Sequence, residues 1–199
     1  MSPDSFIQIG LEFAYWRIHK QPPATSEGAS LRQFRVGRTD TIRSCSVLSQ
    51  AFVEAKDEAN VTNSEKAKLL SEAVAAHRQY INEAVSGQGI DRHLLGLRLA
   101  AIESGLPESS LLKQDAYKRA MHFNLTTSQV STKVNLCIVF SPPVSNSYGV
   151  CYNPKSDNVL ITVSTLVSNC DYDPVKYCEA LFKSLRNMRD LFVGDSAKL

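Results

Sequence analysis

The chain has 199 residues, 43% hydrophobic and 21% charged. That length suits one ordinary domain, less readily two small ones. It lets the chain bury roughly 70% of its unfolded surface, so a core needs neither disulfide nor metal, and the composition excludes a disordered or fibrous class. With 22 Lys and Arg against 20 Asp and Glu, the net charge of +2 excludes a strong electrostatic case for nucleic acid or an anionic membrane.

A helix is predicted over Asp4–His19, where Phe6, Ile9, Phe13 and Trp16 recur at three- and four-residue spacing. Pro3 suits its start and Gln21-Pro22-Pro23 stops it. Ala24–Phe34 reads as a short, extended stretch without clear period, and Gly37 with the polar Arg38–Thr41 reads as a loop. Ser46–Gly105 is mostly helical, opening with an apolar face of Val47, Leu48, Ala51 and Phe52. After a break at Asn60–Asn63, Thr62 with Glu65 makes a capping box. It opens a helix over Ser64–Val85 that places Leu69, Ala73, Ala76, Tyr80, Ile81 and Ala84 near one face. Ser86–Gly89 ends it. Asp91 is the expected cap of the next helix, which closes at Gly105 and Pro107, and another helix is expected over Ser110–Met121.

The last part changes character. Val134–Phe140 reads as a buried strand ended by Pro142-Pro143, Tyr148–Tyr152 as a second strand and Val159–Ser164 as a third. Asp173-Pro174 starts a final helix with an apolar stripe of Val175, Cys178, Leu181, Phe182, Leu185, Met188, Leu191 and Phe192. One mixed α/β (α+β) domain is the expected fold class.

The five cysteines, 45, 137, 151, 170 and 178, form an odd set without a C-x-x-C pair. They read as reduced, mostly buried thiols rather than a disulfide framework or zinc site. Neither a basic, apolar signal segment nor an apolar run of about 20 residues is present. The sequons at Asn60 and Asn124 read as chance matches.

The usual catalytic signatures are missing: no G-x-G-x-x-G, P-loop, H-E-x-x-H or G-x-S-x-G occurs, and His19, His77, His93 and His122 share no metal-ligand spacing. Each histidine reads as a surface or core-edge residue. Three clusters concentrate polar chemistry. Gly37–Ser44 gathers guanidinium and hydroxyl groups able to hold a carboxylate or phosphate, or else forms a solvated, salt-bridged turn. Asp91-Arg92-His93 opens a helix, where anions are favoured, or simply caps it. Asn124–Gln129 offers hydroxyl donors for an oxyanion, or makes a polar sheet edge before a strand.

Taken together and in order, these clusters resemble the C-terminal part of the carnitine/choline acyltransferase family. The resemblance is carried by Pro3-Asp4 with Phe6-Ile7-Gln8, Ala14-Tyr15, Gly37–Ser44 and Asp91-Arg92-His93-Leu94-Leu95-Gly96-Leu97. It continues through Ala120–Leu125, Thr127-Ser128-Gln129-Val130 and Tyr148–Pro154. The Arg38-Thr39-Asp40-Thr41 loop is most similar to the branch that transfers acetyl groups to carnitine.

The resemblance implies a mixed sheet flanked by helices and reversible acyl transfer between coenzyme A, as cosubstrate, and carnitine, without metal or covalent acyl-enzyme. It implies a histidine base, with Ser128 holding the oxyanion, Thr39 and Arg92 holding carnitine's carboxylate, and Thr126 and Phe140 near the trimethylammonium. Ile138 stands where a bulky residue blocks a deep acyl channel, which favours short acyl groups. Asp4, Glu27, Ser128 and Gln129 match coenzyme A contacts.

Against the family pattern, none of the four histidines aligns with the base, which lies in an N-terminal half, as do basic contacts to coenzyme A. Ser26 replaces a carnitine-binding tyrosine, and Thr126 replaces the first serine of a Ser-Thr-Ser motif. The expectation is a C-terminal domain over 1–195, a fragment of a two-domain enzyme and inactive alone; a non-catalytic, stand-alone carnitine- or coenzyme A-binding relative is the alternative. Use of choline or of longer acyl chains conflicts with Arg92 and Ile138. Residues 196–199, ending Ala197-Lys198-Leu199, resemble a peroxisomal address read by an import receptor, with a mitochondrial location as the other possibility.

Overall fold

A computed structural model describes residues 1–134, 136–167 and 171–193, and everything below concerns these residues. The tail at 196–199 and Cys170 lie outside them.

The first element, α1 (Pro3–His19), is the central helix. Ser2 caps it, with its Oγ accepting from Ser5 N at 3.4 Å, and Pro3 occupies the first turn. Ser5 and every residue from Ile7 to Tyr15 are buried, so the helix has no solvent face over two turns. One side, with Ile7, Leu11, Ala14 and Tyr15, packs on Leu125, Tyr148, Val150, Tyr152, Tyr177 and Leu181. The opposite side, with Ile9 and Phe13, packs on Phe52, Val53, Leu70, Ala73, Val74 and Met188. The three-to-four spacing read in the sequence therefore found only part of the buried surface.

Five strands make one sheet: β1 (Thr25–Ser30), β2 (Thr39–Ile42), β3 (Leu125–Gln129), β4 (Tyr148–Pro154) and β5 (Val159–Ser164), in the order β2-β1-β3-β4-β5. β1 runs antiparallel to β2 and parallel to β3, β3 parallel to β4, and β4 antiparallel to β5. Between β2 and β3 the chain builds α2 (Val47–Asp57), α3 (Asn63–Glu83), a π-helical turn (Ala84–Gln88), α4 (Ile90–Glu103), α5 (Ser110–Lys113) and α6 (Asp115–Ala120). The last helix, α7 (Pro174–Arg189), lies against α1. Its Tyr177 hydroxyl donates to Leu11 O at 2.8 Å.

The expected α/β class is observed, with a mixed sheet flanked by helices. The capping box at Thr62 is present: Thr62 N donates to Glu65 Oε2 at 2.9 Å and Glu65 N donates to Thr62 Oγ1 at 3.2 Å. Several local expectations are corrected. Val134 and residues 136–140 form no strand, and Val134, Leu136 and Val139 are exposed. The stretch Arg38–Thr41, read as a loop, enters β2, and the hydroxyl-rich run before the expected strands is itself a strand, β3, which lies mid-sheet rather than at an edge. The buried face of α3 is Lys66, Leu70, Ala73, Val74 and His77, rotated from the expected one. On α2, Val47 and Leu48 face out while Phe52 and Val53 face in. Ser110–Met121 breaks at Gln114, whose extended backbone separates α5 from α6. Val175 and Phe182 on α7, and Phe192 beyond its end, are exposed. The thiol at Cys137 is exposed, against the buried reading.

Candidate functional site

Side chains alternate across the strands. Thr25, Glu27 and Ala29 of β1 and Leu125 and Thr127 of β3 face the core, while Ser26 and Gly28 of β1 and Thr126 and Ser128 of β3 take the opposite face. That face floors an open cleft of about 330 Å³ lined by Ser26, Gly28, Thr39, Arg92, Thr126, Ser128 and Phe140. Six residues singled out in five separate parts of the sequence thus meet in one place, with Gly28 added.

The cleft rim is built where α4 meets β2. Arg92 Nε donates to Thr39 O at 2.8 Å and Nη2 to Thr39 Oγ1 at 3.4 Å, so the exposed guanidinium is held beside the Thr39 hydroxyl. Asp40, and not Asp91, serves the N-terminus of α4: its Oδ1 accepts from Arg92 N at 3.3 Å and from Thr41 N at 2.7 Å. A carboxylate there answers unpaired N–H groups and the positive end of the helix. Gly89 permits this approach, because a Cβ on it would stand 2.3 Å from Asp40 Oδ2. Asp91 instead takes Arg43 in a two-pronged ion pair, at 2.7 and 3.0 Å, and Arg43 also donates to Ala120 O and lies over the Phe123 ring.

On the floor, Thr126 Oγ1 is buried and has no hydrogen-bond partner among the described residues, while Ser128 is half-buried beside it. A buried hydroxyl without a protein partner is a group for a ligand or a water to satisfy. Phe140 forms a wall: Ser164 Oγ donates to its carbonyl, and its ring lies so close to Gly149 that a Cβ there would be 3.1 Å from Cε2.

The remaining sequence candidates sit elsewhere. Ile138 lines a separate small cavity with Cys137, Cys151, Tyr152 and Leu160. Asp4 accepts from the Tyr152 hydroxyl, and the exposed Gln129 donates to Ser131 Oγ at 3.1 Å. The Glu27 carboxylate faces the core, opposite the cleft, and accepts from Ser44 Oγ at 3.3 Å and from His77 Nε2 at 2.8 Å.

His77 was read as an ordinary histidine and is instead the most buried of the four. Burial pulls its pKa down, but the Glu27 carboxylate, with Glu12 and Asp4 adding negative charge, outweighs this and raises it. The sequence signal was available: Leu70, Val74 and His77 repeat at four- and three-residue spacing along α3. Gln8 is a further such residue, with its Nε2 donating to Thr127 Oγ1 and Tyr152 Oη, both at 2.9 Å, behind the cleft floor.

The largely apolar groove formed by Leu94, Leu97, Ala101, Ile102, Leu106 and Leu112 on α4, α5 and their connection, about 270 Å³, lacks this chemistry. Its charged groups, Arg98 and Glu108, pair with each other at 3.2 Å. Among the described residues no group of three or more His, Cys, Asp or Glu side chains is placed to hold a metal, and no helix is long and apolar enough to cross a membrane.

Comparison with known proteins places these residues in context. A profile of the family described as choline/carnitine O-acyltransferase matches residues 1–183. A carnitine O-acetyltransferase of Columba livia is 46% identical over 191 residues, covering 96% of this chain and 30% of that protein. The Homo sapiens carnitine O-acetyltransferase gives the same identity and coverage. A Homo sapiens choline O-acetyltransferase is 40% identical over 194 residues, 96% of this chain and 26% of that protein. The chain thus spans less than a third of the length of these relatives.

Proposed function

The chain belongs to the choline/carnitine O-acyltransferase family, and we propose that it forms the C-terminal, substrate-holding part of a carnitine O-acetyltransferase, which moves a short acyl group reversibly between coenzyme A and carnitine. The observation that carries this reading is the cleft that joins the Arg92–Thr39 rim to the unpartnered Thr126 hydroxyl, Ser128 and the Phe140 wall.

In this reading Arg92 and Thr39 take the carboxylate, the planar guanidinium supplying charge-assisted hydrogen bonds. Phe140 offers an aromatic surface to the trimethylammonium, with Thr126 nearby. Ser26 leaves that wall short. A histidine base from polypeptide outside these 199 residues removes the proton from the substrate hydroxyl, and the oxygen attacks the thioester carbonyl. Ser128 donates to the oxyanion as it forms. Collapse breaks the carbon–sulfur bond, and the proton passes to the departing thiolate. Coenzyme A is the cosubstrate, with Ser128, Gln129, Asp4 and Glu27 on its side; the last two reach it only if their internal bonds open. Ile138 limits acyl length. The tail at 196–199 is a peroxisomal address, for an import receptor to read.

Calorimetry with carnitine and with choline tests the site. Carnitine binds, choline binds at least about tenfold more weakly, and Arg92→Ala removes the difference, as expected for loss of a charge-assisted contact. Equal binding of the two ligands by the unaltered chain contradicts the reading. With acetyl-CoA and carnitine, the chain alone releases no thiol; turnover by it refutes the assignment of the base elsewhere. Ser26 favours a second reading, a non-catalytic binding relative. Adding the leading part of the Columba livia enzyme separates the two: restored turnover marks an enzyme, and binding without turnover marks the relative.

A further inference from the structure

Two cysteines meet beside the cleft. Cys137 is exposed, on the irregular segment 136–140 that carries Ile138 and Phe140; Cys151 is buried, on β4. Both line one cavity of about 10 Å³, about the space of a single water. One hydroxyl ties the two backbones together: Thr162 Oγ1 donates to Ile138 O at 2.5 Å and approaches Cys151 O at 3.3 Å. The residue after Cys137 and Cys151 itself thus share a hydrogen-bonding centre. Burial, and then the charge of Cys137, raise the Cys151 pKa, which shows the second thiol within electrostatic range.

We propose that Cys137 and Cys151 are a reversible thiol–disulfide pair that staples the 136–140 segment to β4. The oxidant is a small-molecule disulfide such as oxidised glutathione. The Cys137 thiolate attacks one of its sulfurs and expels a glutathione thiolate, leaving a mixed disulfide at Cys137. The Cys151 thiolate then attacks the Cys137 sulfur and expels the second. Two protein thiols are oxidised, one disulfide is reduced to two thiols, and the two protons lost by the protein go to the glutathione thiolates. Cys137 is the accessible partner and Cys151 the slower, resolving one. The bond closes a short loop through Phe140 and Gly149, so oxidation fixes the cleft wall and reduction frees it.

The proposal does not depend on the acyltransferase reading, and its test uses no turnover. The chain is equilibrated with oxidised glutathione, alkylated, and mapped by mass after chymotrypsin, which separates Cys137–Phe140 from Gly149–Tyr152. The expected product is these two peptides linked, and in a tryptic digest a single Val134–Lys155 peptide lighter by two hydrogen atoms. Cys45→Ser and Cys178→Ser keep the link. Cys137→Ser, at an exposed position, abolishes it without threatening the fold, and Cys151→Ala traps glutathione on Cys137. Hydrogen exchange over residues 137–144 slows at least about tenfold on oxidation. The pair is overturned if the unaltered chain carries only glutathione at Cys137 or links other cysteines, and the staple is overturned if the link forms while exchange is unchanged.

Discussion

At the scale of single residues, the sharpest physical conflict is Glu12, a carboxyl on the helix that has no solvent face. Its Oε1 lacks a hydrogen-bond partner among the described residues. Burial raises its pKa from 4.5 to about 7, although Ser49, His77 and Cys45 all pull the other way. The consequence for stability follows from linkage. A folded-state pKa above the unfolded one means that the folded chain holds the proton more tightly, so this contribution is complete below about pH 4.5 and is lost as pH rises through about 7. Glu12→Gln keeps the shape and removes the charge. Urea unfolding is expected to show the variant gaining roughly 3 kcal/mol over the unaltered chain at pH 8 and little at pH 4.5. Equal pH slopes for the two proteins would show that the carboxyl ionises in the fold as it does in the unfolded chain. His19 adds a smaller slope of the opposite sign. Burial lowers its pKa despite Asp171, so its contribution is present above the unfolded value of about 6.5 and is lost as pH falls through the folded value. His19→Gln is expected to flatten the acid side of the stability profile, checked by thermal unfolding between pH 5 and 8.

At the scale of elements, what was legible depended on whether one physical demand ruled the segment. Caps at Ser2, Thr62 and Asp173 and the proline and glycine stops are local chemistry, and the helices they bound were readable from composition alone. β3 answers to two demands. Leu125 and Thr127 face α1 while Thr126 and Ser128 face the cleft, so no alternation of apolar and polar residues survives to mark a strand. The reverse failure is Val134 with residues 136–140, apolar by composition but irregular, while the sheet takes its strands β3, β4 and β5 from the flanking stretches. The cleft residues were singled out through ordered motifs, whereas their joining by β1–β3 pairing and the α4 start needed the fold. That joining makes Gly89 a test of the element. Gly89→Ala drives a methyl into Asp40, so α4 must shift and carry Arg92 with it. The expected result is a loss of about 1–3 kcal/mol of stability, with carnitine affinity falling about as far as in Arg92→Ala. Full stability and full affinity in this variant would mean that Asp40 does not hold the helix.

At the scale of the whole molecule, the fold divides into a body and an arm. Two large cores meet on α1, with a small one under β1 and β2, but α4 buries Asp91 alone, and α5 and α6 bury nothing. The arm nevertheless carries Leu97 at 55% exposure, Ile102 at 62%, Leu106 at 62% and Leu111 at 49%. Solvated helices do not ordinarily gather leucines on one groove, and contiguous apolar patches of more than a few hundred Å² are rare on monomers. Relatives three times as long have polypeptide to lay over such a face; this chain, purified by itself, has only other copies of itself. Concentration-dependent self-association through the arm is therefore expected in light scattering. Leu97→Glu with Ile102→Glu should restore the monomer. The melting temperature should stay within a few degrees, because neither side chain supports the core. If the double variant associates as before, the contact lies elsewhere, and the exposed Val134, Leu136 and Val139 near the cleft are the next surface to charge. The outcome also bears on the cleft. Arg92 sits in the first turn of the arm and Thr39 on the strand beside it, so whatever covers the α4 groove also steadies the rim that is proposed to hold the substrate carboxylate. A partner seated on Leu97 and Ile102 should then tighten carnitine binding, and the double variant, monomeric but uncovered, should bind it no better than the dilute, unaltered chain.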